Sequence, residues 1–434
     1  MPQTRYIYDM KKYALETIGC RLNQYETEKI AAGLNRYGFT RAGLGENADL
    51  YIINTCTVTG RADASSRNII SRAARKDGAA PVVVIGCYVD AEPEKVARLN
   101  GVDLVLKNAE KENTVEIIRR SFPDLFDSDT KIPPNGFIDN FYQHNRAWIK
   151  IGDGCNQYCA YCIIPTVRGS IVNRSSKDII DEIQLLSDNG YREVVLTAVH
   201  IGKYKTDDTA SLAKLLRKLI DRTDMYRIRL SSIEPQEITD DLIRVFGESN
   251  GRLCRHFHVP LQSGSDRILE IMKRPYDTLR YNDILANIRD NIPGVVIGAD
   301  IIVGFPGETE ADFEGSIKTA ETGLIDYLHV FSYSDRLGTA ASEMPDKIRP
   351  DIIKYRNRIL REISDKHYAK TLKRSIGGEL EAISEYRTDK GDKQYYGMTD
   401  NYLRIRMPEN IGGEKDVVHL RVTGASDSYL IGEI

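Results

Sequence analysis

From residue 13 to about 106, short apolar runs alternate with amphipathic stretches. Tyr13–Thr17, Asp49–Asn54, Val82–Ile85 and Leu104–Leu106 read as strands, with helices such as Glu26–Tyr37 and Ala62–Lys76 between them. Strands that alternate with helices predict a parallel sheet. The unbroken apolarity of Val82–Ile85 fits a strand covered on both faces. A Pro-, Gly- and Asp-rich, aperiodic stretch follows and predicts a linker over 128–140. A second series then places strands at Trp148–Ile151, Glu193–Thr197, Arg227–Ser231, Phe257–Val259, Val295–Val303 and Tyr327–Phe331. Helices are expected at Lys177–Asp188, Leu212–Arg222, Ile238–Phe246, Thr278–Asn291 and Glu310–Thr322, and a long charged one at 350–373. Six strand–helix units, rather than eight, predict a partial, open barrel. After Arg374, short runs at Gly378–Ser384, Gln394–Thr399, Tyr402–Met407, Val417–Val422 and Tyr429–Ile431 are punctuated by Gly, Asp and Asn, which predicts a small β-barrel. The fold class is therefore a multidomain α/β chain. Its parts are a parallel α/β domain over 11–127, a partial (βα)6 barrel over 141–370 and an all-β barrel over 371–434. Met10 is a candidate start, which would leave 1–9 a disordered extension.

Composition narrows the class without choosing a function. A chain of 434 residues suits two or three domains, and 41% hydrophobic with 28% charged residues is ordinary for a soluble globular protein. No apolar run approaches the roughly 18 residues of a membrane helix, and no signal-peptide pattern opens the chain, so a cytoplasmic protein without membrane contact is expected. A net charge of −3 gives no bulk attraction to nucleic acid, so any RNA contact must be local. The seven cysteines, an odd count in such a chain, argue against a disulfide framework.

Their spacing is more informative. The stretch GDGCNQYCAYCIIP sets Cys155, Cys159 and Cys162 in eight residues, just past the first strand of the second series. Three thiolates so close can wrap one face of an iron–sulfur cluster and leave a fourth iron open. The plain alternatives are a zinc knuckle or buried structural thiols. Zinc would want a fourth Cys or His, and none follows until His200. A second group is distributed. Cys20 follows the first strand in IGC, Cys56 the second in INTC, and Cys87 the third in VIGC. Strands of a parallel sheet end at one edge, where such folds bind ligands. These three thiols are therefore expected to converge and to hold a second cluster, with inert packing of each cysteine as the alternative. Cys254, in RLCRHFHVP, has no such partner and is expected to pack in the core. His256 and His258 alternate there with Phe257 and Val259, with a structural role expected for them.

The three-cysteine loop, with Tyr161 directly before its third Cys, resembles the signature of radical S-adenosylmethionine (SAM) enzymes. The words GCRLNQYETE, NTCTVT, GDGCNQYCAYCIIPTVRG and GADIIVGFPGET together resemble the methylthiotransferases of that superfamily across essentially the whole chain. The resemblance implies two 4Fe–4S clusters, an auxiliary one on Cys20, Cys56 and Cys87 and a SAM-cleaving one on Cys155, Cys159 and Cys162. It implies a C-terminal TRAM barrel that docks substrate. It also implies a two-SAM radical reaction in which one SAM methylates sulfur and another is reductively cleaved to abstract hydrogen. The strand ends that would line the SAM site carry Glu234, Gln262 and Asp300 as candidates for the ribose or amino group. Tyr161 belongs to the same site, and the Gly304–Gly307 turn would approach the adenine. Ala198 in LTAVHIG departs from the glycine pair usual at that strand end. Arg168, shortly after the loop, is a candidate partner for a carboxylate.

Family members modify a tRNA adenosine beside the anticodon or an aspartate of a ribosomal protein. GCRLNQYETE and LTAVHIGKY look most like the branch acting on threonylcarbamoyladenosine; isopentenyladenosine and the ribosomal-protein aspartate are the alternatives. A non-catalytic iron–sulfur RNA-binding protein is the remaining one. The expected partners are tRNA, a sulfur donor, and an electron donor such as flavodoxin or ferredoxin. Residues 371–434 carry nine Lys and Arg against eleven Asp and Glu, so the barrel is not basic overall. Its candidate RNA contacts are Arg404 and Arg406 beside Tyr402, whose ring could stack on a base.

Overall fold

The computed structural model describes residues 10–76, 80–127, 136–142, 144–389, 392–409, 411 and 413–434. Residues 1–9, and 128–135 of the expected linker, lie outside the described residues. The chain divides into two compact units. One runs to Asn140 and also takes in 163–169; the other comprises 141–162 and 170–434.

The first unit is built on five parallel strands: β1 (Lys12–Thr17), β2 (Thr40–Ala42), β3 (Leu50–Thr55), β4 (Val82–Gly86) and β5 (Leu104–Leu106), in the order β2-β1-β3-β4-β5. One face of the sheet packs Tyr13, Leu15, Ile52, Val83 and Ile85 against Ile30, Leu34 and Ile118. The other packs Ala14, Tyr51, Ile53 and Val84 against Ile70, Tyr88 and Val96. Both faces are thus covered, which is why β3 and β4 read as unbroken apolar runs. Each fully buried Ile or Val contributes roughly 1.5–3 kcal/mol of transfer free energy. The helix α1 (Arg21–Arg36) begins five residues before the apolar periodicity suggests, because its first turns bury polar side chains, Asn23, Glu26, Thr27 and Glu28. The edge strand β2 is absent from the sequence expectation; three residues are too few to show a period.

The second unit contains a partial barrel of parallel strands. After β6 (Ala147–Lys150) come a short antiparallel pair, β7 (Gly152–Asp153) and β8 (Val172–Asn173), then β9 (Glu193–Thr197), β10 (Arg227–Leu230), β11 (His256–His258), β12 (Val296–Val303) and β13 (Tyr327–Ser332). Two three-stranded sheets, β10-β9-β6 and β11-β12-β13, are joined by an Ile228–Leu253 bridge and by the Ile233 N–H donating to the His258 carbonyl at 3.0 Å. Among the described residues β6 and β13 do not pair, so the barrel is open. The helix Pro350–Arg374 carries the chain to a closed barrel of β14 (Glu379–Asp389), β15 (Asp392–Thr399), β16 (Arg404–Arg406), β17 (Val417–Ala425) and β18 (Leu430–Glu433), ordered β14-β15-β16-β18-β17.

The small barrel is joined to the partial barrel by buried charge. Arg229 pairs bidentately with Glu193 at 2.7 and 3.0 Å and donates to the carbonyls of Thr399 and Asp400. Glu193 and Arg229 are both 0% exposed, so the pair is stable only because its remaining donors find those carbonyls. No described helix is long and apolar enough to cross a membrane.

Candidate active site

Register places the first three cysteines. Thr17 of β1 aligns with Asn54 of β3, and Thr55 aligns with Gly86 of β4, so Cys20, Cys56 and Cys87 follow the same edge of one sheet. Cys20 stands at the N-cap of α1, yet its side chain caps nothing. Gly19 (φ +108°) brings its turn so close that a Cβ there would lie 2.7 Å from Cys56 Cβ and 2.9 Å from Cys56 Sγ. Gly86 (φ +103°) is equally constrained, its place for a Cβ lying 2.5 Å from the Thr55 carbonyl. These are backbone approaches only glycine permits.

Amides tie the turns together. Asn23 Nδ2 donates to the Ile18 carbonyl (2.8 Å) and the Thr55 carbonyl (3.0 Å), the residues just before two of the cysteine positions. Asn54 Nδ2 donates back to the Asn23 carbonyl at 2.9 Å. Asn108 Nδ2 lies 3.5 Å from Cys87 Sγ and 2.8 Å from the Val167 carbonyl. Burial pushes the Cys56 thiol up to about 11; the Val58 N–H opposes this, and the neighbouring Cys20 and Cys87 sulfurs add to it. Three cysteine sulfurs brought to one sheet edge are a donor set of the kind that iron–sulfur clusters use.

The second group sits in the loop after β7. The Gln157 N–H donates to Cys155 Sγ at 3.4 Å, and His200 Nδ1 lies 3.5 Å from the same sulfur. His200 Nε2 is 2.6 Å from Glu237 Oε1. Burial opposes charge on this imidazole, but the Cys155 and Glu237 contacts outweigh it and raise its pKa to about 9. Arg274, with only 2% of its side chain exposed, donates to Cys159 Sγ at 3.1 Å and to Glu234. Burial raises the Cys159 thiol, and Arg274 pulls it back. Among the described residues no three His, Cys, Asp or Glu side chains are gathered for a single metal ion. Three cysteines of one short loop are the donor type that iron–sulfur clusters use.

The remaining candidates are placed as follows. Tyr161 packs beside Ala160, Ile268, Met272 and Phe305, and burial raises its pKa well above the usual phenol range. Glu234 is engaged by Arg274. The Gln262 N–H donates to the Asp300 carbonyl at 2.8 Å, and the Ile302 N–H donates to the Gln262 carbonyl at 2.9 Å, with Gln262 at φ +70°. Asp300 Oδ1 lies 2.8 Å from His258 Nε2, and His258 stacks on His329. Neighbouring positions on and just after β11, and on β12 and β13, thus bring Gln262, Asp300 and the imidazoles of His258 and His329 together. Gly304 at φ +77° would carry a Cβ 2.3 Å from Ile353, so close packing explains that glycine.

Two expectations need correction. Tyr402 is not an exposed stacking platform: a turn at φ +68° lays its ring on His256, with centroids 4.5 Å apart, beneath the Arg229 guanidinium. Arg404 lies over Tyr396, and of the three only Arg406 is exposed, over Tyr429. Arg168 does not stand open toward a carboxylate ligand. It belongs to the first unit, where its buried guanidinium donates to Glu26 at 3.0 and 3.2 Å and to Asn23 Oδ1. The sequence reading also missed Arg274, 115 residues from the Cys159 sulfur it serves, and Asn108, 21 residues from Cys87, while Asn23 stood in it only as part of GCRLNQYETE; His200 figured in it only as an absent ligand. Cys254 is buried, as expected.

Comparison with known proteins bears on the same regions. Residues 12–107 match the family described as "Uncharacterized protein family UPF0004", and residues 149–320 match the radical SAM superfamily. A Bacillus subtilis protein named threonylcarbamoyladenosine tRNA methylthiotransferase MtaB is 36% identical over 98% of this chain and 96% of its own. An Acetivibrio thermocellus protein named tRNA-2-methylthio-N(6)-dimethylallyladenosine synthase is 33% identical over 98% of this chain and 91% of its own. The fold resembles the radical SAM methyltransferase TsrM of Kitasatospora setae, solved with cobalamin and a 4Fe–4S cluster, with TM-score 0.57 and 16% identity over 76% of this chain and 77% of that one. The two matched regions in one chain, together with relatives spanning nearly its full length, place it in the radical SAM methylthiotransferase family, as a SAM-dependent iron–sulfur enzyme.

Proposed function

We propose that this enzyme converts N6-threonylcarbamoyladenosine beside the tRNA anticodon to its 2-methylthio form, using two 4Fe–4S clusters. The observation that carries the substrate is the near-full-length likeness to a relative named for that activity. Cys155, Cys159 and Cys162 would hold one cluster, and Cys20, Cys56 and Cys87 the other. A cluster on the first set, with SAM bound, supplies the electron for reductive SAM cleavage, radical chemistry beyond any side-chain acid or base.

The chain's own groups prepare these positions. Arg274 holds Cys159 and Glu234 together, and its charge favours the thiolate. His200, oriented by Glu237, donates toward Cys155. Tyr161, Glu234, Gln262 and Asp300 are the proposed SAM-facing groups, and Arg406 the exposed cation available to RNA. A sulfur donor and an electron donor such as flavodoxin or ferredoxin complete the reaction, which belongs in the cytoplasm.

Nucleoside mass spectrometry of tRNA from a deletion strain tests the substrate. The expected result is loss of 2-methylthio-threonylcarbamoyladenosine with accumulation of its unmethylthiolated precursor. Loss of the methylthio-dimethylallyl nucleoside instead would assign the chain to the activity named for its other relative.

A further inference from the structure

The segment 163–169 follows the second cysteine group in sequence, yet it folds as part of the first unit. Ile163 and Val167 pack on Cys87. The Val167 carbonyl takes one hydrogen from Asn108 Nδ2, the same group that lies against Cys87 Sγ. Arg168 donates to both oxygens of Glu26 and to Asn23 Oδ1. Its side chain is 1% exposed, and Glu26 also receives the buried Lys111.

The consequence lies in the orientation of one amide. An Asn side chain has one acceptor end and one donor end. With Oδ1 held by Arg168, the Asn23 amide must present Nδ2 to the carbonyls of Ile18 and Thr55. Those residues lead into Cys20 and Cys56. Flipping the amide would set an oxygen against two carbonyl oxygens. We propose that Arg168 is a positioning residue of the N-terminal cysteine site: it fixes the Asn23 amide that clamps the turns of Cys20 and Cys56, while its neighbour Val167 anchors Asn108 at Cys87. The inference rests on the reading of those cysteines as a second cluster site.

Partners of metal ligands commonly govern affinity by roughly ten- to a hundred-fold. The test is anaerobic reconstitution of full-length Arg168→Gln and Arg168→Lys. Iron and sulfide are counted, electron paramagnetic resonance is recorded with and without SAM, and iron retention is measured under a chelator. Arg168→Gln should keep the SAM-responsive signal and lose N-terminal iron to the chelator roughly ten- to a hundred-fold faster, falling from about eight toward about four irons per chain as it does so. Arg168→Lys, which keeps the charge near Glu26, should retain part of that iron. Eight irons kept in Arg168→Gln, with weakened SAM binding, would overturn the proposal and return Arg168 to a SAM-binding role. Equal iron loss from both sites, with a lowered melting temperature, would also overturn it by reducing Arg168 to a folding residue. A Cys20→Ser/Cys56→Ser/Cys87→Ser chain that holds as much iron as the unsubstituted one would refute the second cluster itself, and is read separately from the Arg168 result.

Discussion

The two cysteine groups are supported by opposite means. In the second unit three cysteines come from one eight-residue loop, and full charges stand against them: Arg274 on Cys159, and His200, backed by Glu237, on Cys155. In the first unit the cysteines come from three strand ends some 30 residues apart, and neutral amides hold the turns, with the Arg168–Glu26–Lys111 charges one step behind. A loop that supplies all its own ligands needs little more than counter-charge. A site assembled from a sheet edge has to fix the relative height of three backbones, a task suited to glycine contacts and two-ended amides.

Removing one sulfur from each group should have the largest effect. Cys159→Ser should abolish 5′-deoxyadenosine formation from SAM, whereas Cys56→Ser should leave it within a few-fold of the unsubstituted enzyme while ending methylthiolation. Both products can be followed by mass spectrometry in one reaction. If Cys56→Ser also stops SAM cleavage, the two groups do not act as separate sites.

Next in size is the charged frame of the second unit. Glu193→Gln leaves the fully buried Arg229 without its carboxylate, at a cost of about 3–5 kcal/mol, read by denaturant unfolding. Burial pushes the Glu193 pKa up, but Arg229, Arg146 and Arg227 outweigh it and hold the group at about 2, below the ordinary 4.5. A depressed carboxylate stabilises the fold above its unfolded pKa and ceases to do so as pH falls through its folded one. Stability should therefore decline between about pH 4.5 and 2, and Glu193→Gln should flatten that decline.

How much of this was legible in the sequence follows from the same contrast. The loop group is visible as spacing alone. The distributed group is visible only because each cysteine ends an apolar run, so that parallel topology could be used to bring them together. The start of α1 was hidden because Asn23, Glu26 and Thr27 are buried polar residues, which break the apolar periodicity that marks a helix. Arg274 and Arg168 were illegible in their roles for another reason. Arg274 serves Cys159 across 115 residues, and Arg168 serves Glu26 across 142. No local pattern encodes such partners. Tyr402 misled because an aromatic beside two arginines looks the same in sequence whether its ring faces solvent or lies on His256.

Glycine separates the packed sheet edge from the open turn. Gly86 and Gly169 both have positive φ, but a Cβ on Gly86 would strike the Thr55 carbonyl, whereas one on Gly169 meets nothing within 4 Å. Both have ψ near 180° (−162° at Gly169, −173° at Gly86), a region essentially reserved for glycine, so each alanine should cost about 1–3 kcal/mol in backbone strain. Gly86→Ala adds the clash with the Thr55 carbonyl, so it should cost more than Gly169→Ala and displace the turn carrying Cys87. Equal melting temperatures for the two variants would mean that the sheet edge is not tightly set.

The finest distinction concerns an amide that could have been an acid. Asn108 Nδ2 serves Cys87 and the Val167 carbonyl, while its Oδ1 is buried without a hydrogen-bond partner among the described residues. An orphaned oxygen costs about 1–3 kcal/mol, so the amide is retained for its donor end. Asn108→Asp keeps the shape but replaces that donor with a carboxylate oxygen facing a thiolate and a carbonyl. The apo chain should lose only about 1 kcal/mol, because the acid can take up a proton and donate as the amide did. In the loaded chain a metal-bound thiolate would be a like charge beside the carboxyl, so the site would tolerate the acid only in its protonated, donating form. Iron retention at the N-terminal site should therefore fall as pH rises through the carboxylate's titration, while iron at the loop site stays constant. A pH-independent iron content in Asn108→Asp would mean that Asn108 touches Cys87 without bearing on what the sulfur binds.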